Sequence, residues 1–141
     1  MPPEGRALCY PPRMPIVHVH VRAGRPAAER KAILDGVHAA LVEAFRIPEH
    51  DDNAILHEHA PENFRSGKGP SYTLVEISAF PGRSLEAKRA LYAAIVRNLE
   101  AAAAIPPAAV MIVLHEPSME SWGIRGGRAA TDVPLGFEVK V

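Results

Sequence analysis

The chain contains its own pattern twice. Gly24-Arg25 recurs 58 positions on as Gly82-Arg83, Pro48 as Pro106, His57-Glu58 as His115-Glu116 and Phe64 as Trp122. The apolar residues Ile33, Val37 and Leu41 recur at the same spacing as Leu91, Ile95 and Leu99. No insertion is needed to hold this register between Ile16 and Phe64. Self-similarity at a fixed period constrains architecture before any local assignment, because both copies are expected to fold alike.

Within the first copy, Met14-Pro15-Ile16-Val17-His18-Val19-His20-Val21-Arg22-Ala23-Gly24-Arg25 reads as a strand opened by a proline and closed by a turn. Val17, Val19 and Val21 alternate with Ile16, His18 and His20, a period of two. Proline is tolerated at the first residue of a strand, where no ladder donor is needed. Pro26 to Phe45 is predicted as a helix, with Pro26 just inside its start. Its apolar stripe is Ile33, Leu34, Val37, Leu41 and Phe45, with His38 beside it, and Ile47-Pro48 stops it. A second strand spans Ala54 to His57, and Glu62 to Ser71 forms the linker between copies, carrying Gly67, Gly69 and Pro70.

The second copy reads as a strand over Tyr72 to Ala79, a turn at Phe80-Pro81-Gly82, and a helix capped by Ser84 and running to about Ala103. Val110 to Leu114 is a buried strand, Ser121 to Arg128 a loop, and Phe137, Val139 and Val141 alternate as a terminal strand. Each unit is β-α-β with a crossover helix, which favours parallel pairing and a right-handed connection. The expected fold is therefore α+β, assembled from α/β-type units: a four-stranded sheet with two helices on one face. Ile16, His18, His20, Leu74 and Glu76 would give the other face a mixed surface, so further subunits are expected to cover it.

A length of 141 residues suits one domain. The expected division is an extension over 1–13 and a single domain over 14–141, comprising repeat one (14–64), repeat two (72–122) and a tail (123–141). Lys plus Arg and Asp plus Glu number 16 each, and no basic stripe is visible, which argues against nucleic acid as the main partner. Cys9 is the only cysteine, so neither an intrachain disulfide nor a cysteine metal site is available. The longest apolar run, Ala101 to Leu114, is interrupted by Pro106-Pro107 and too short to span a membrane. No long apolar segment of the secretory kind opens the chain, and a cytoplasmic location is the expectation. Residues 1–13 hold four prolines and no periodicity. They are either a true extension or upstream of a natural start at Met14, which would expose Pro15 once the methionine is removed.

His18-x-His20 and His57-x-His59 each place two imidazoles on one face of a strand, a spacing that can hold a metal. A metal-binding β-barrel would need many evenly spaced strands, and the chain has two long helical patterns instead. No metal and no cofactor are expected.

A strand starting at proline, a Gly-Arg turn ten residues on, a helix, a proline and a second strand together resemble the tautomerase superfamily, typified by 4-oxalocrotonate tautomerase. Short members carry one β-α-β unit, and long members carry two fused units and form trimers. The chain resembles a long member over residues 14 to about 128, and Asp35-Gly-Val-His38 through Ala44-Phe45-Arg-Ile-Pro48 to Asp51 is similar to malonate semialdehyde decarboxylase and its relatives. The resemblance implies that Pro15 is the catalytic N-terminal proline and that Arg25 and Arg83 bind a substrate carboxylate. It implies that Phe64 and Trp122 make the pocket apolar, that Asp51 is the aspartate used for water activation, and that His38 lies near the site. Asn53 departs from the family, standing where short tautomerases have a second arginine. Phe80 and Pro81 stand near the position of a further arginine in decarboxylase-like members. Arg125 and Arg128, in a glycine-rich loop, are expected at a subunit contact.

The chemistry explains why these residue types matter. A chain-terminal proline is a secondary amine, whereas an internal one is a non-basic amide. An α-amino group ordinarily titrates at about 7.7–8.0, and an apolar pocket with nearby arginines would lower that further. The result is a base free near neutral pH, able to move a proton between a carbon and an enol oxygen. The fork of Arg83, with Arg25 as second choice, would hold the carboxylate and developing enolate, with Trp122 or Phe64 excluding water.

Two classes of function follow. One is a cofactor-independent tautomerase of a small 2-oxo or enol carboxylic acid, acting as a homotrimer without nucleic-acid or membrane partners. The other keeps the leader, makes Pro15 an amide, and leaves an inactive oligomeric binding protein of the same fold. A hydratase, decarboxylase or dehalogenase on the same scaffold is a third reading.

Overall fold

A computed structural model describes residues 15–134. Strand β1 (Ile16–Arg22) leads through a Gly24 turn into helix α1 (Ala27–Phe45), which returns the chain to β2 (Asn53–His59). Strand β3 (Thr73–Ser78), helix α2 (Leu85–Ala103) and β4 (Val110–His115) repeat that path. The sheet order is β2-β1-β3-β4. Pairing is parallel within each unit (β1 with β2, β3 with β4) and antiparallel between units (β1 with β3). This is the expected pair of β-α-β repeats, with both helices on one face.

Burial follows from periodicity. Val17, Val19, Val21, Val75 and Ile77 point from the sheet toward the helices, where Ile33, Val37, Leu41 and Phe45 of α1 meet Leu91, Ile95 and Leu99 of α2. The helices cross closely at Gly36, whose carbonyl accepts from Asn98 Nδ2 at 2.9 Å. A Cβ on Gly36 would stand 3.2 Å from the Asn98 Cβ, a tight approach that would require Asn98 to give by a few tenths of an ångström. Pro26 is the N-cap of α1, and Ser84 Oγ caps α2 by accepting from the Ala87 N–H at 3.1 Å.

The repeat is less uniform than the sequence suggests. Helices, glycine turns and left-handed C-caps recur 58 residues apart, as in Gly24 and Gly82 (φ 123° and 125°) or Arg46 and Ala104 (φ 56° and 54°). The strands recur 56 apart: the bond from Ala23 N–H to the His59 carbonyl is matched by that from Ala79 N–H to the His115 carbonyl. Phe80-Pro81 is a two-residue insertion before Gly82, and His115 is the counterpart of His59 rather than His57. Strand limits also differ from those predicted: β2 covers Asn53–His59 instead of Ala54 to His57, and β3 covers Thr73–Ser78 instead of Tyr72 to Ala79. The stretch expected as a loop holds a small hairpin, β5 (Gly123–Ile124) with β6 (Arg128–Ala129), turned by Arg125, Gly126 and Gly127, all at positive φ. The predicted terminal strand and residues 1–13 lie outside the described residues. Among the described residues, no helix is long and apolar enough to cross a membrane.

Candidate active site

The antiparallel meeting of the two units gives the sheet two chemically different ends. Ile16 pairs with Asn53 on one side and Ser78 on the other. Pro15, just before β1, therefore sits at the edge where β2 begins and β3 finishes. That end receives Asp51 from the approach to β2 and Phe80 and Arg83 from the exit of β3. Pro15, Asp51 and Arg83 are all buried, the last two at 2% and 7% exposure.

Arg83 is fixed by its surroundings. Its guanidinium lies 4.6 Å from the centroid of the Phe45 ring, and Nη1 donates to the Phe80 carbonyl at 3.0 Å. Nε, itself buried, finds no partner among the described residues. Burial lowers the Arg83 pKa from its ordinary value, while the charges of Glu116 and Asp51 oppose the shift. Asp51 is held in a turn by its N–H on the Pro48 carbonyl at 3.0 Å, and its carboxylate accepts from Asn53 Nδ2 at 3.3 Å. Trp122 meets Phe80 edge to face at 5.3 Å and donates through Nε1 to the Pro117 carbonyl at 3.2 Å. Glu116 is tied to Lys88 at 2.8 Å.

The opposite end carries the repeat counterparts without the same provision. Arg25 is occupied: Nη1 donates to Glu29 at 2.6 Å and to the Ala103 carbonyl at 3.1 Å. Phe64 stacks on His59, meets Tyr72 at a tilt, and its carbonyl accepts from Arg22 at 3.4 Å. Asp51 corresponds to Ala109 there, since the Asp51-to-Pro48 backbone bond is matched by one from Ala109 to Pro106. Phe45, the ring beneath Arg83, corresponds to Ala103 at the last helical position.

Of the residues singled out from sequence, Pro15, Asp51, Arg83 and Trp122 share one end within a chain, and Arg25 and Phe64 lie at the other. His38 lies behind the first end as a tether: Nε2–H donates to the Glu49 carbonyl at 2.7 Å, and Nδ1 lies 3.8 Å from Asp52, on the loop carrying Asp51. Sequence reasoning missed Phe45 as the ring against Arg83, having counted it only as helix stripe. It also missed Phe80, seen only as a departure, and Glu116 beside Arg83. No group of three or more His, Cys, Asp or Glu side chains among the described residues is arranged to hold a metal ion.

Two family models described as tautomerase enzyme match the chain, over residues 15–70 and 51–125. A probable tautomerase, YrdN of Bacillus subtilis strain 168, is 31% identical over 123 residues, spanning 82% of this chain and 95% of its own length. Crystal structures of malonate semialdehyde decarboxylase, described as a basis for decarboxylase and hydratase activities, share 29% identity and a TM-score of 0.73, covering 84% of this chain and 99% of that one. A fused 4-OT solved as a symmetric trimer shares 26% identity and a TM-score of 0.75, covering 82% and 96%.

Proposed function

The chain belongs to the tautomerase family, and on that premise we propose that it is a cofactor-independent tautomerase of a small 2-oxo or enol carboxylic acid, with the amine of Pro15 as its base. The observation that carries this reading is the meeting of Pro15, Asp51 and Arg83 at one buried, aromatic-walled end of the sheet. In the proposed reaction the Pro15 nitrogen takes the enol hydroxyl proton and returns a proton to carbon, completing a 1,3 or longer shift with no net change in atoms. The Arg83 fork binds the carboxylate and the enolate oxygen that gains charge. Phe45, Phe80 and Trp122 keep water from screening that charge. This reading assigns Arg83 the role that the family resemblance offered to both arginines, because Arg25 is already engaged by Glu29 and Ala103.

The base exists only where Pro15 is the first residue of the mature chain. The assembly expected is a homotrimer, supported by the likeness to the fused 4-OT trimer and by the uncovered sheet face, where Ile55, Met111 and Val113 are exposed. A small carboxylate-bearing substrate and a cytoplasmic location complete the reading.

Asp51 favours one further reading, a hydratase or decarboxylase on the same frame. A carboxylate 2% exposed beside a buried arginine suits water activation, and a malonate semialdehyde decarboxylase is among the similar structures. One experiment separates the readings: ketonisation of phenylenolpyruvate by protein beginning at Pro15, beside protein keeping the leader. The tautomerase reading expects turnover only in the former, with Asp51→Asn costing less than about tenfold. A water-activating role expects weak ketonisation and a loss of about 10²–10⁴ in hydration on Asp51→Asn. No turnover from either preparation would leave a binding protein.

A further inference from the structure

The sheet face turned away from the helices carries an array of imidazoles. His18, His20 and Arg22 lie on it from β1, His57 and His59 from β2, Glu76 from β3 and His115 from β4, with Tyr72 at its edge. His18 Nδ1 is 2.8 Å from His57 Nε2, and His20 Nδ1 is 2.9 Å from His59 Nε2. The His20 and His57 rings stack at 4.4 Å, and the stack continues from His59 to Phe64 at 5.0 Å. The Glu76 carboxylate lies 3.3 Å from His20 and 3.5 Å from His115.

Each short nitrogen contact needs one N–H and one bare nitrogen. A pair that gains one proton still has both. A pair that gains two sets N–H against N–H, with two cations at less than 3 Å. The four paired rings can therefore hold two added protons in this arrangement. Glu76 offsets charge on His20 and His115 only. Arg22 pairs across the strands with His59 and adds positive charge of its own. The face also exposes Ile55, Met111 and Val113, at 48%, 44% and 36%. Covering it removes the water that would solvate protonated rings.

We infer that this imidazole array makes association of the chain with copies of itself pH-dependent, the oligomer forming with the rings largely neutral and separating as they take up protons. The inference rests on the reading that further copies cover the open sheet face. The His20 ionisation already lies below its ordinary value, through burial first and the charges of His57 and His59 next, with Glu76 opposing. A histidine pKa lowered by association makes the assembly stable above the ordinary value. That stability is lost as pH falls through and below about 6.5.

Sedimentation of the full chain from about pH 8 to about pH 5 at constant ionic strength, with circular dichroism to follow the fold, tests this. The trimer mass is expected at the upper end, and dissociation below about pH 6.5. The apparent dissociation constant should rise about tenfold per pH unit for each proton taken up. A double variant, His57→Gln with His59→Gln, removes one ring from each pair and should dissociate at lower pH and with a shallower slope than the unsubstituted chain. The milder His18→Gln breaks one pair and should lower the slope without abolishing it. An unchanged trimer across the range in the unsubstituted chain, or variants following its curve, overturns the switch while leaving the assembly intact. A single-chain mass at the upper end contradicts the assembly reading itself and removes the switch with it.

Discussion

Two arginines at the same place in two repeats do different things, and the difference lies in their neighbours. Arg83 rests on the Phe45 ring with Nε unengaged, whereas Arg25 is bound by Glu29 and the Ala103 carbonyl. Losing a buried donor aimed at developing charge costs about 10²–10³ in rate. Arg83→Gln should therefore lower kcat/KM for an enol acid by that factor, while Arg25→Gln should leave it within about threefold, since Arg25 is held in a partly buried ion pair at the other end of the sheet. Steady-state kinetics on both variants check this. The sequence held both Gly-Arg pairs openly. Arg83 was the first choice and Arg25 the second, but the physical reason was hidden, because it depends on which helix end each arginine reaches and on Phe45 facing one while Ala103 faces the other.

At the scale of elements, the helices were legible nearly to the residue because their 3.6-residue stripes and caps are local. Ser84 was readable as a cap from its type and place, and its hydroxyl does accept from Ala87. Ser84→Ala should cost about 1 kcal/mol in urea unfolding. Both helices end in a left-handed residue that is not glycine, and Ala104 adopts φ 54° at an exposed site. Ala104→Gly should raise stability by about 0.5–1 kcal/mol, read as a higher urea midpoint, since relief of Cβ strain exceeds the added chain entropy. The strands were less legible. A shift of two residues keeps every side chain on its own face, so alternation could not reveal that strands repeat at 56 and helices at 58. The insertion Phe80-Pro81 matters to the site, because Phe80 supplies both the carbonyl that holds Arg83 and the ring that meets Trp122.

For the whole molecule, the antiparallel junction of two parallel units decides what the site contains. It sends the exit of β3 to the entrance of β1, so Arg83 from the second repeat lies at the same sheet end as Pro15 of the first. No single-repeat argument predicts that. It also leaves a four-stranded face uncovered, which the sequence did foretell through its mixed residues. On the proposed reading, catalysis depends on the state of one nitrogen. Activity should rise with pH as the Pro15 amine loses its proton, with a midpoint below about 7.7–8.0 because burial and Arg83 disfavour its cation. The measurement that tests the account most directly is the N-terminal residue of the protein isolated from its own cell. The account predicts Pro15, with the amine free. Any residue upstream of Pro15 retained on the active oligomer would make that nitrogen an amide and contradict it.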